Sequence, residues 1–427
     1  MFRHLFVCGA AAACALVPVC ARAQAVPGGA AQPSAPLTID AAVREAMDHN
    51  LTLLAERFNV TAAEAAVVTA SLRPNPVVTA NVMAPQQAVF DAGVSPAEQV
   101  IRTDVVFERG GKRERRMDTA RLARSVAELQ VLNTTRALIL EVASAFTDVQ
   151  LADLNLALAR ENLTALDDIV RVNTDRVRTG DLAGVELSRS HLEALQFQND
   201  VRQRETRLRV ARNRLGTLLG RGPDGDALTV IGELRRDPEP IGYEELHRQA
   251  LARRPDVRAA RTDQARSVAD LRLQLANGRI DYTVSGEYHR QEGPTVHGNT
   301  VGVFFSAPLP LFNRNQGEIA RARIVTQQAE TRVRAVEMDV SREAANAFAE
   351  YSTARDVLET IERQMLAQAR EVRSTTEYAY RRGEATLIEF LDAVRAFNQT
   401  MDSYNEARAQ YARSLYTLDS IRGKVTP

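Results

Sequence analysis

Apolar and polar residues alternate along two pairs of short segments, at about residues 76–107 and 279–312. A period of two is the pattern of β-strands with one apolar and one polar face. Phe304 is the apolar residue that interrupts the alternation of the last segment. Strands of roughly 9–11 residues with such faces suit an outer-membrane β-barrel, and a half-buried hairpin on a soluble domain is the alternative. The apolar faces contain Val78, Ala80 and Val82 in the first pair, and Ile280, Tyr282, Val284, Gly286, Tyr288, Val301, Val303 and Phe305 in the second.

Long stretches outside these strands contain neither glycine nor proline. The longest run over residues 112–179, 318–382 and 384–422, and all are rich in Ala, Leu, Arg, Glu and Gln, which favour helices. A helix over the 68 residues 112–179 would be about 100 Å long at roughly 1.5 Å per residue. A compact globular domain has no need of such a helix. The pattern therefore predicts an elongated, mainly helical protein with a small β part.

The chain also repeats itself at an offset of 202 to 204 residues. Each copy reads as helix, strand pair, long helix, tight turn and helix. Two shorter helices, about 185–219 and 242–277, together match the length of the long helix and are expected to stack against it. The matching segments are 37–53 with 241–257, 111–113 with 313–315, and 178–181 with 381–384.

The first 23 residues read as a secretory signal peptide. Arg3 and His4 precede an apolar run, and an Ala-x-Ala cleavage site precedes Gln24. All three cysteines of the chain lie inside this segment, so the mature protein is expected to have none. The predicted divisions are signal peptide 1–23, flexible linker 24–36, first repeat 37–220, equatorial linker 221–241, second repeat 242–422 and tail 423–427.

Composition narrows the possible functions. The 54 basic residues balance the 54 acidic residues, so nucleic-acid binding has little support. No stretch after the signal peptide has 18 consecutive apolar residues, so the chain can enter a membrane only by strands. His289 and His297 flank a hairpin loop but lack an evident third ligand, so no metal site is expected. Catalytic motifs and cofactor-binding motifs are absent, and we expect neither an enzyme nor a cofactor.

If its strands span a membrane, the chain must assemble with further copies of itself to form one barrel. Four strands are too few to close a barrel with a lumen, and an open edge in lipid leaves backbone groups unsatisfied. Two chains would give 8 strands and three would give 12, with a helical barrel below them. Small residues on the first long helix permit close helix packing: Ala120, Ala123, Ala127, Ala137, Ala143 and Ala145.

Residues 37–422 resemble the TolC-like outer-membrane factor family. The segments PLPLFNRNQG, at 308–317, and FERGGKR, at 107–113, resemble its CzcC-type (cobalt-zinc-cadmium) heavy-metal efflux branch. Both lie where a strand becomes a helix, so they mark architecture rather than chemistry. The resemblance implies a homotrimer with a 12-stranded outer-membrane β-barrel continuous with a long periplasmic α-helical barrel. It also implies a passive duct in outer-membrane lipid that docks on a periplasmic membrane-fusion adaptor and an inner-membrane, proton-driven RND pump.

The resemblance further implies an acidic ring at the pore entrance, formed by Glu389 and Asp392. These acids are spaced i, i+3 and so share one helix face, and three chains would place six acids around one entrance. Such a ring would favour cations. The alternative is that both acids are solvated or paired with arginines. The tips that resemble the family's adaptor-docking turns are Gly180, Asp181, Gly383 and Glu384.

The gate of the family matches Tyr380, with Glu186 as its acidic partner. The family's gate arginine is absent, because Ala385 stands at its position. Arg381 or Arg382 is therefore expected to help hold the closed state. Our hypothesis is that Tyr380 and Glu186 form part of the closed-state lock.

Three functions remain open from the sequence. The first is an exit duct for divalent heavy-metal cations, and the second is the same duct for drugs or secreted proteins. The third is a soluble periplasmic coiled-coil adaptor or scaffold. An adaptor would carry one helical hairpin between compact β domains, whereas two hairpins alternating with two strand pairs favour the duct.

Overall fold

The computed structural model describes residues 36–83, 97–222, 228–236, 242–292 and 297–424. The predicted signal peptide, the cysteines and nearly all of the predicted 24–36 linker lie outside these residues. The elements in chain order are α1 (Ile39–His49), α2 (Leu51–Ser71), β1 (Val77–Met83), β2 (Ala97–Phe107), α3 (Lys112–Thr179), α4 (Gly184–Leu218), α5 (Tyr243–Arg253), α6 (Pro255–Asn277), β3 (Tyr282–Glu292), β4 (His297–Ser306), α7 (Gln316–Thr360), a π-helical turn (Ile361–Met365), α8 (Leu366–Arg382) and α9 (Leu387–Ile421).

The mainly helical fold with a small sheet is confirmed, and α3 is one unbroken helix over all 68 predicted residues. Two other predicted helices are interrupted. The helix predicted at 242–277 is two helices, because Pro255 cannot donate a backbone hydrogen bond and begins α6 anew. The stretch 318–382 contains the π-helical turn, which the residue types did not reveal.

The helix ends show the repeat directly. Gly180 and Gly220 end α3 and α4, and Gly383 and Gly423 end α8 and α9, at a constant offset of 203 residues. All four glycines have positive φ between 75° and 86°. At each, the glycine N–H and the following N–H donate to carbonyls of the last helical turn, which is the Schellman arrangement.

The helix starts correct one detail of the repeat. Gly111 precedes α3 with φ 67°, and Asn315 precedes α7 with φ 62°. The structural partner of Gly111 is therefore Asn315, whereas the predicted match with Asn313 is two residues out of register. The side-chain amide of Asn315 donates to the carbonyl of Gln274 at 2.7 Å, which holds this left-handed residue in place.

The four strands form one antiparallel sheet in the order β1-β2-β3-β4. On its polar face Val77 lies opposite Asp104, which lies opposite Ser285, which lies opposite Phe304. Phe304 thus breaks the sequence pattern because it covers the guanidinium of Arg102, 5.6 Å from the ring centre, on the polar face. The other face is exposed and apolar.

The helices form a layer whose order follows that of the strands. Next to the sheet the order is α2-α3-α6-α7, and farther away it is α4-α3-α9-α8. Both α4 and α6 pack on α3, as the matched lengths predicted. The layer has two free edges, one formed by α2, β1 and α4 and the other by β4, α7 and α8. We call these the first edge and the last edge.

Candidate functional site at the hairpin tips

The two tips are tight turns between long helices. Gly180 and Gly383 both adopt left-handed conformations, and a Cβ at either would meet nothing within 4 Å. Glycine is needed there for its backbone conformation, not for space. Asp181 accepts a hydrogen bond from the Thr179 hydroxyl at 2.7 Å, and Glu384 is exposed. These tips present small, polar ends to the surroundings.

Tyr380 lies buried beside the second tip, with 4% of its surface exposed. Its hydroxyl donates to Oδ1 of Asn173 at 2.8 Å, and its ring stacks on Phe390 at a centroid distance of 5.4 Å. Burial raises the pKa of Tyr380, so the hydroxyl remains a donor at neutral pH. The predicted partner, Glu186, accepts instead from Arg189 at 3.1 Å. Within the described residues no hydrogen bond joins Tyr380 to Glu186, although the charge of Glu186 also acts to raise the pKa of Tyr380.

Asn173 was not found from the sequence, because nothing in a helical run marks which amide is buried. It is fully buried, and its Nδ2 has no partner among the described residues. Asn173 lies on α3 and Tyr380 on α8, so their hydrogen bond joins the hairpin of the first repeat to that of the second. A second contact runs in parallel, since Arg176 donates to the carbonyl of Arg381 at 2.6 Å.

The two arginines predicted near the gate have different contacts. The guanidinium of Arg381 donates to Glu377 at 2.6 Å, on its own helix. The guanidinium of Arg382 lies 4.5 Å from the ring centre of Tyr378. Arg381 therefore takes part in the contact between hairpins through its carbonyl oxygen, and its side chain is engaged elsewhere.

The predicted entrance acids lie on one exposed face of α9, where Glu389 also completes a capping box with the N-cap residue Thr386. Its carboxylate accepts from the backbone N–H of Thr386 at 2.7 Å and from the Thr386 hydroxyl at 2.9 Å. These hydrogen bonds, the backbone one first, lower the pKa of Glu389 below its ordinary value. The carboxylate is therefore charged at neutral pH.

Asp392 is exposed and accepts from Arg395 at 3.3 Å. Arg395 also donates to Glu193 of α4 at 2.7 Å, and this second acid is largely buried. The alternative foreseen for the acids, pairing with arginine, thus holds in part for Asp392. Counting Glu193, Glu389 and Asp392 against Arg395 leaves this patch with a net charge of −2 per chain.

The outer end of the molecule has a different character. Large apolar side chains cover one face of the sheet and are exposed on it, while Asp104, Ser285 and Arg102 form a hydrogen-bonded cluster on the other face. The exposed apolar residues include Val78, Val82, Ile101, Val301, Val303 and Phe305.

A search of the described helices finds none that is long and apolar enough to cross a membrane.

Metal-ligand clusters of three or more His, Cys, Asp or Glu residues are likewise absent from the described part of the chain. Nε2 of His289 lies 3.6 Å from a carboxylate oxygen of Glu98, and His297 is exposed.

Both free edges of the helical layer expose large apolar side chains. Exposed apolar rows of this kind are typical of surfaces that make contacts. The first edge exposes Leu51, Phe58, Val68, Leu72, Val185, Leu192, Leu195 and Val210, and the last edge exposes Ile324, Met338, Val357, Val372 and Tyr378.

The molecule thus consists of two long helical hairpins joined end-on to a sheet with an exposed apolar face. The sequence profile of the outer membrane efflux protein family matches residues 42–221 and 246–424, and the chain belongs to this family. It is accordingly an outer-membrane efflux channel protein with a long helical extension into the periplasm. The soluble adaptor considered from the sequence is therefore wrong.

Curated relatives differ in the function that their names record. The chain is 24% identical to the cobalt-zinc-cadmium resistance protein CzcC of Cupriavidus metallidurans, over 91% of this chain and 90% of that protein. It is 23% identical to nodulation protein T of Rhizobium leguminosarum bv. trifolii, over 73% of this chain and 68% of that protein. Among solved structures, the outer-membrane channel OprN matches with a TM-score of 0.76 and 21% identity, over 91% of both chains.

Proposed function

We propose that this chain is the exit duct of a tripartite efflux system for divalent heavy-metal cations of the cobalt, zinc and cadmium class. It works as a homotrimer that receives its cargo from an inner-membrane RND pump through a periplasmic membrane-fusion adaptor. The tips at Gly180-Asp181 and Gly383-Glu384 dock on the adaptor. The duct itself is passive, and energy comes from the pump.

The trimer is supported by the two free edges. Among the residues that the structure describes, strands β1 and β4 each have no partner on one side, and the same edges of the helical layer expose apolar rows. A head-to-tail contact between the last edge of one chain and the first edge of the next repeats around a ring until it closes. Three chains give 12 strands, enough to enclose a channel.

The observation that carries the choice of cations is the acidic patch formed by Glu389, Asp392 and Arg395 of α9 with Glu193 of α4. Glu389 is held as a carboxylate by its capping hydrogen bonds, and Asp392 is exposed one helical turn away. With a net charge of −2 per chain, a trimer would place six negative charges around one entrance. Such a ring attracts divalent cations far more strongly than neutral solutes or anions.

The similarity to CzcC over nearly the full length supports heavy metals as the cargo. The identity to nodulation protein T is comparable and its name records no metal, so the second candidate is a duct of the same build for drugs or secreted proteins. Architecture is shared by both, so growth phenotypes must separate them.

The closed state is held by Tyr380. In this proposal its hydroxyl is anchored on Asn173, while Glu186 and the carbonyl of Arg381 lie in the same lock. The supporting observation is that the contacts of Tyr380 and Arg381 join the two hairpins beside the tips.

The test is growth of a deletion strain on Zn²⁺, Co²⁺, Cd²⁺, Ni²⁺ and Cu²⁺ and on a panel of drugs and detergents. Hypersensitivity to divalent metals alone, restored by the wild-type gene, is the expected result. Sensitivity to drugs or detergents alone would retain the duct and refute the metal cargo.

A further inference from the structure

The loop between β4 and α7 exposes three large apolar side chains that the proposed function does not use. Leu309, Leu311 and Phe312 are 78%, 66% and 90% exposed. All three belong to the PLPLFNRNQG segment, between positions 309 and 312, at the last edge of the chain. We call these three residues the knob. So much apolar surface on one short loop marks a site of contact.

The loop holds the knob in one position. The Arg314 side chain donates to the carbonyl of Pro310 at 3.1 Å, and the Gln316 amide donates to the carbonyl of Phe312 at 3.0 Å. The backbone N–H of Leu311 donates to the carbonyl of Leu309 at 2.9 Å. The polar half of the motif therefore fixes the loop so that its apolar half projects outward. A loop whose backbone is already ordered loses little conformational entropy when it docks.

A groove of about 580 Å³ lies at the first edge of the chain, between the turn that precedes β1 and the start of α3. Arg113 and Arg116 fix its wall by donating to the carbonyls of Ser71 and Leu72, at 2.5 and 3.2 Å. Arg116 is in turn paired with Glu108. The lining residues are Arg73, Pro74, Asn75, Pro76, Val105, Val106, Phe107, Glu108, Gly111, Lys112, Arg113 and Glu114.

The knob and the groove lie at the same level on opposite edges. The sheet alternates in direction, so β4 runs opposite to β1. If β4 of one chain pairs with β1 of the next and the alternation continues, the end of β4 at Ser306 meets the start of β1 at Val77. The loop after β4 then lies beside the turn before β1.

We propose that Leu309, Leu311 and Phe312 of one protomer insert into the groove before β1 and α3 of the next protomer. This contact rests on the proposed trimer and adds to it a specific lock at the junction of strands and helices. It also gives the PLPLFNRNQG segment a role: its polar residues build the loop and its apolar residues seal the subunit boundary.

The first test uses cysteine cross-linking of the full chain in outer membranes. All natural cysteines lie within residues 1–23, which favours a clean background. The double variant Asn75→Cys with Leu311→Cys should give linked dimers and trimers after mild oxidation. Each single variant is the matched control and should give no ladder of this kind.

The outcome separates the knob from the trimer. Absence of the ladder, while native mass spectrometry of the same double variant shows a trimer, would overturn the knob contact and leave the proposed assembly intact. A monomer by native mass spectrometry of the wild type would overturn both.

A second test asks whether the knob contacts lipid instead. The chain has no Trp, so Phe312→Trp provides a single fluorophore. Val303→Trp, on the exposed apolar face of β4, is the matched control. Brominated lipids should quench Val303→Trp and leave Phe312→Trp at least fivefold less quenched. Equal quenching of the two variants would show that the knob lies in the bilayer and would overturn the proposal.

Discussion

Replacing Tyr380 by Phe should loosen the contact between the two hairpins without changing the shape of the tip. The substitution removes only the hydroxyl, which donates to Asn173 at 2.8 Å. Oδ1 of Asn173 would then be unsatisfied in a fully buried position, where Nδ2 already has no partner among the described residues. Leaving a buried acceptor unpaired costs about 1–3 kcal/mol.

That cost applies to the closed arrangement, in which the two hairpins touch. If opening separates them, water reaches Asn173 and the open arrangement pays little. The closed state is then weakened by about 1–3 kcal/mol per chain, which corresponds to a shift towards opening of roughly 5- to 150-fold for each chain that carries the substitution. The assay is single-channel conductance of the purified protein in planar bilayers, scored by the fraction of time in the high-conductance state.

The matched control is Tyr378→Phe. Tyr378 is exposed two positions away on the same helix, and its ring lies 4.5 Å from the guanidinium of Arg382, a contact that Phe retains. Its conductance should equal that of the wild type. The double variant Tyr380→Phe with Asn173→Leu should cost less than the two single variants added together, because the two residues act as a pair. If Tyr380→Phe matches Tyr378→Phe in conductance, the lock reasoning is refuted.

Three further predictions concern the entrance and the tips. The double variant Glu389→Gln with Asp392→Asn should lower cation selectivity, measured as the reversal potential in a salt gradient. The control is Asp168→Asn, because Asp168 is also exposed and also pairs with an arginine three residues later; this variant should keep the selectivity of the wild type. The pKa of Glu389 is lowered, so its carboxylate should contribute fully to cation selectivity at any pH above the ordinary glutamate pKa of about 4.3. The contribution should fall only as the pH drops through the lower pKa of the folded protein. Loss of selectivity already at pH 6 would contradict this. Gly383→Ala should destabilise the protein by about 1 kcal/mol in thermal unfolding, because the φ of Gly383 is positive. Gly184→Ala is the control and should not destabilise the protein, because Gly184 has an ordinary φ and open space around its Cβ position. Equal effects of the two substitutions would refute the argument from backbone conformation.

Sequence reasoning succeeded where the signal is local. A run without glycine or proline predicted α3, and strict alternation predicted the strands, because both depend on neighbouring residues. The same reasoning missed the break between α1 and α2 at Asn50. There the side chain accepts from the N–H of Leu53 at 3.1 Å and donates to the carbonyl of Leu218 at 3.0 Å. A cap held by a residue 168 positions away cannot be read from a local pattern.

The candidate site shows the same limit. The capping role of Glu389 is written locally, as Thr386 followed three residues later by Glu. The partner of Tyr380, Asn173, is 207 positions away on another helix. The sequence does not distinguish Asn173 from the other asparagines and glutamines of α3 as a partner for Tyr380. Which amide faces inward is decided by the way the two hairpins pack.

The contacts between the two repeats show how one hairpin controls the other. Near the tips, Tyr380 and Arg395 of the second repeat donate to Asn173 and Glu193 of the first, and both acceptors are buried. Arg176 of the first repeat donates in the opposite direction, to the carbonyl of Arg381. Farther from the tips, Arg204 of the first repeat donates through both terminal guanidinium nitrogens to Asp402 of the second at 2.9 Å. The second repeat carries the proposed entrance acids, yet its position depends on buried partners in the first. Substitutions at Asn173 or Glu193 should therefore alter the entrance, although both residues are buried and neither lies on the exposed face of α9.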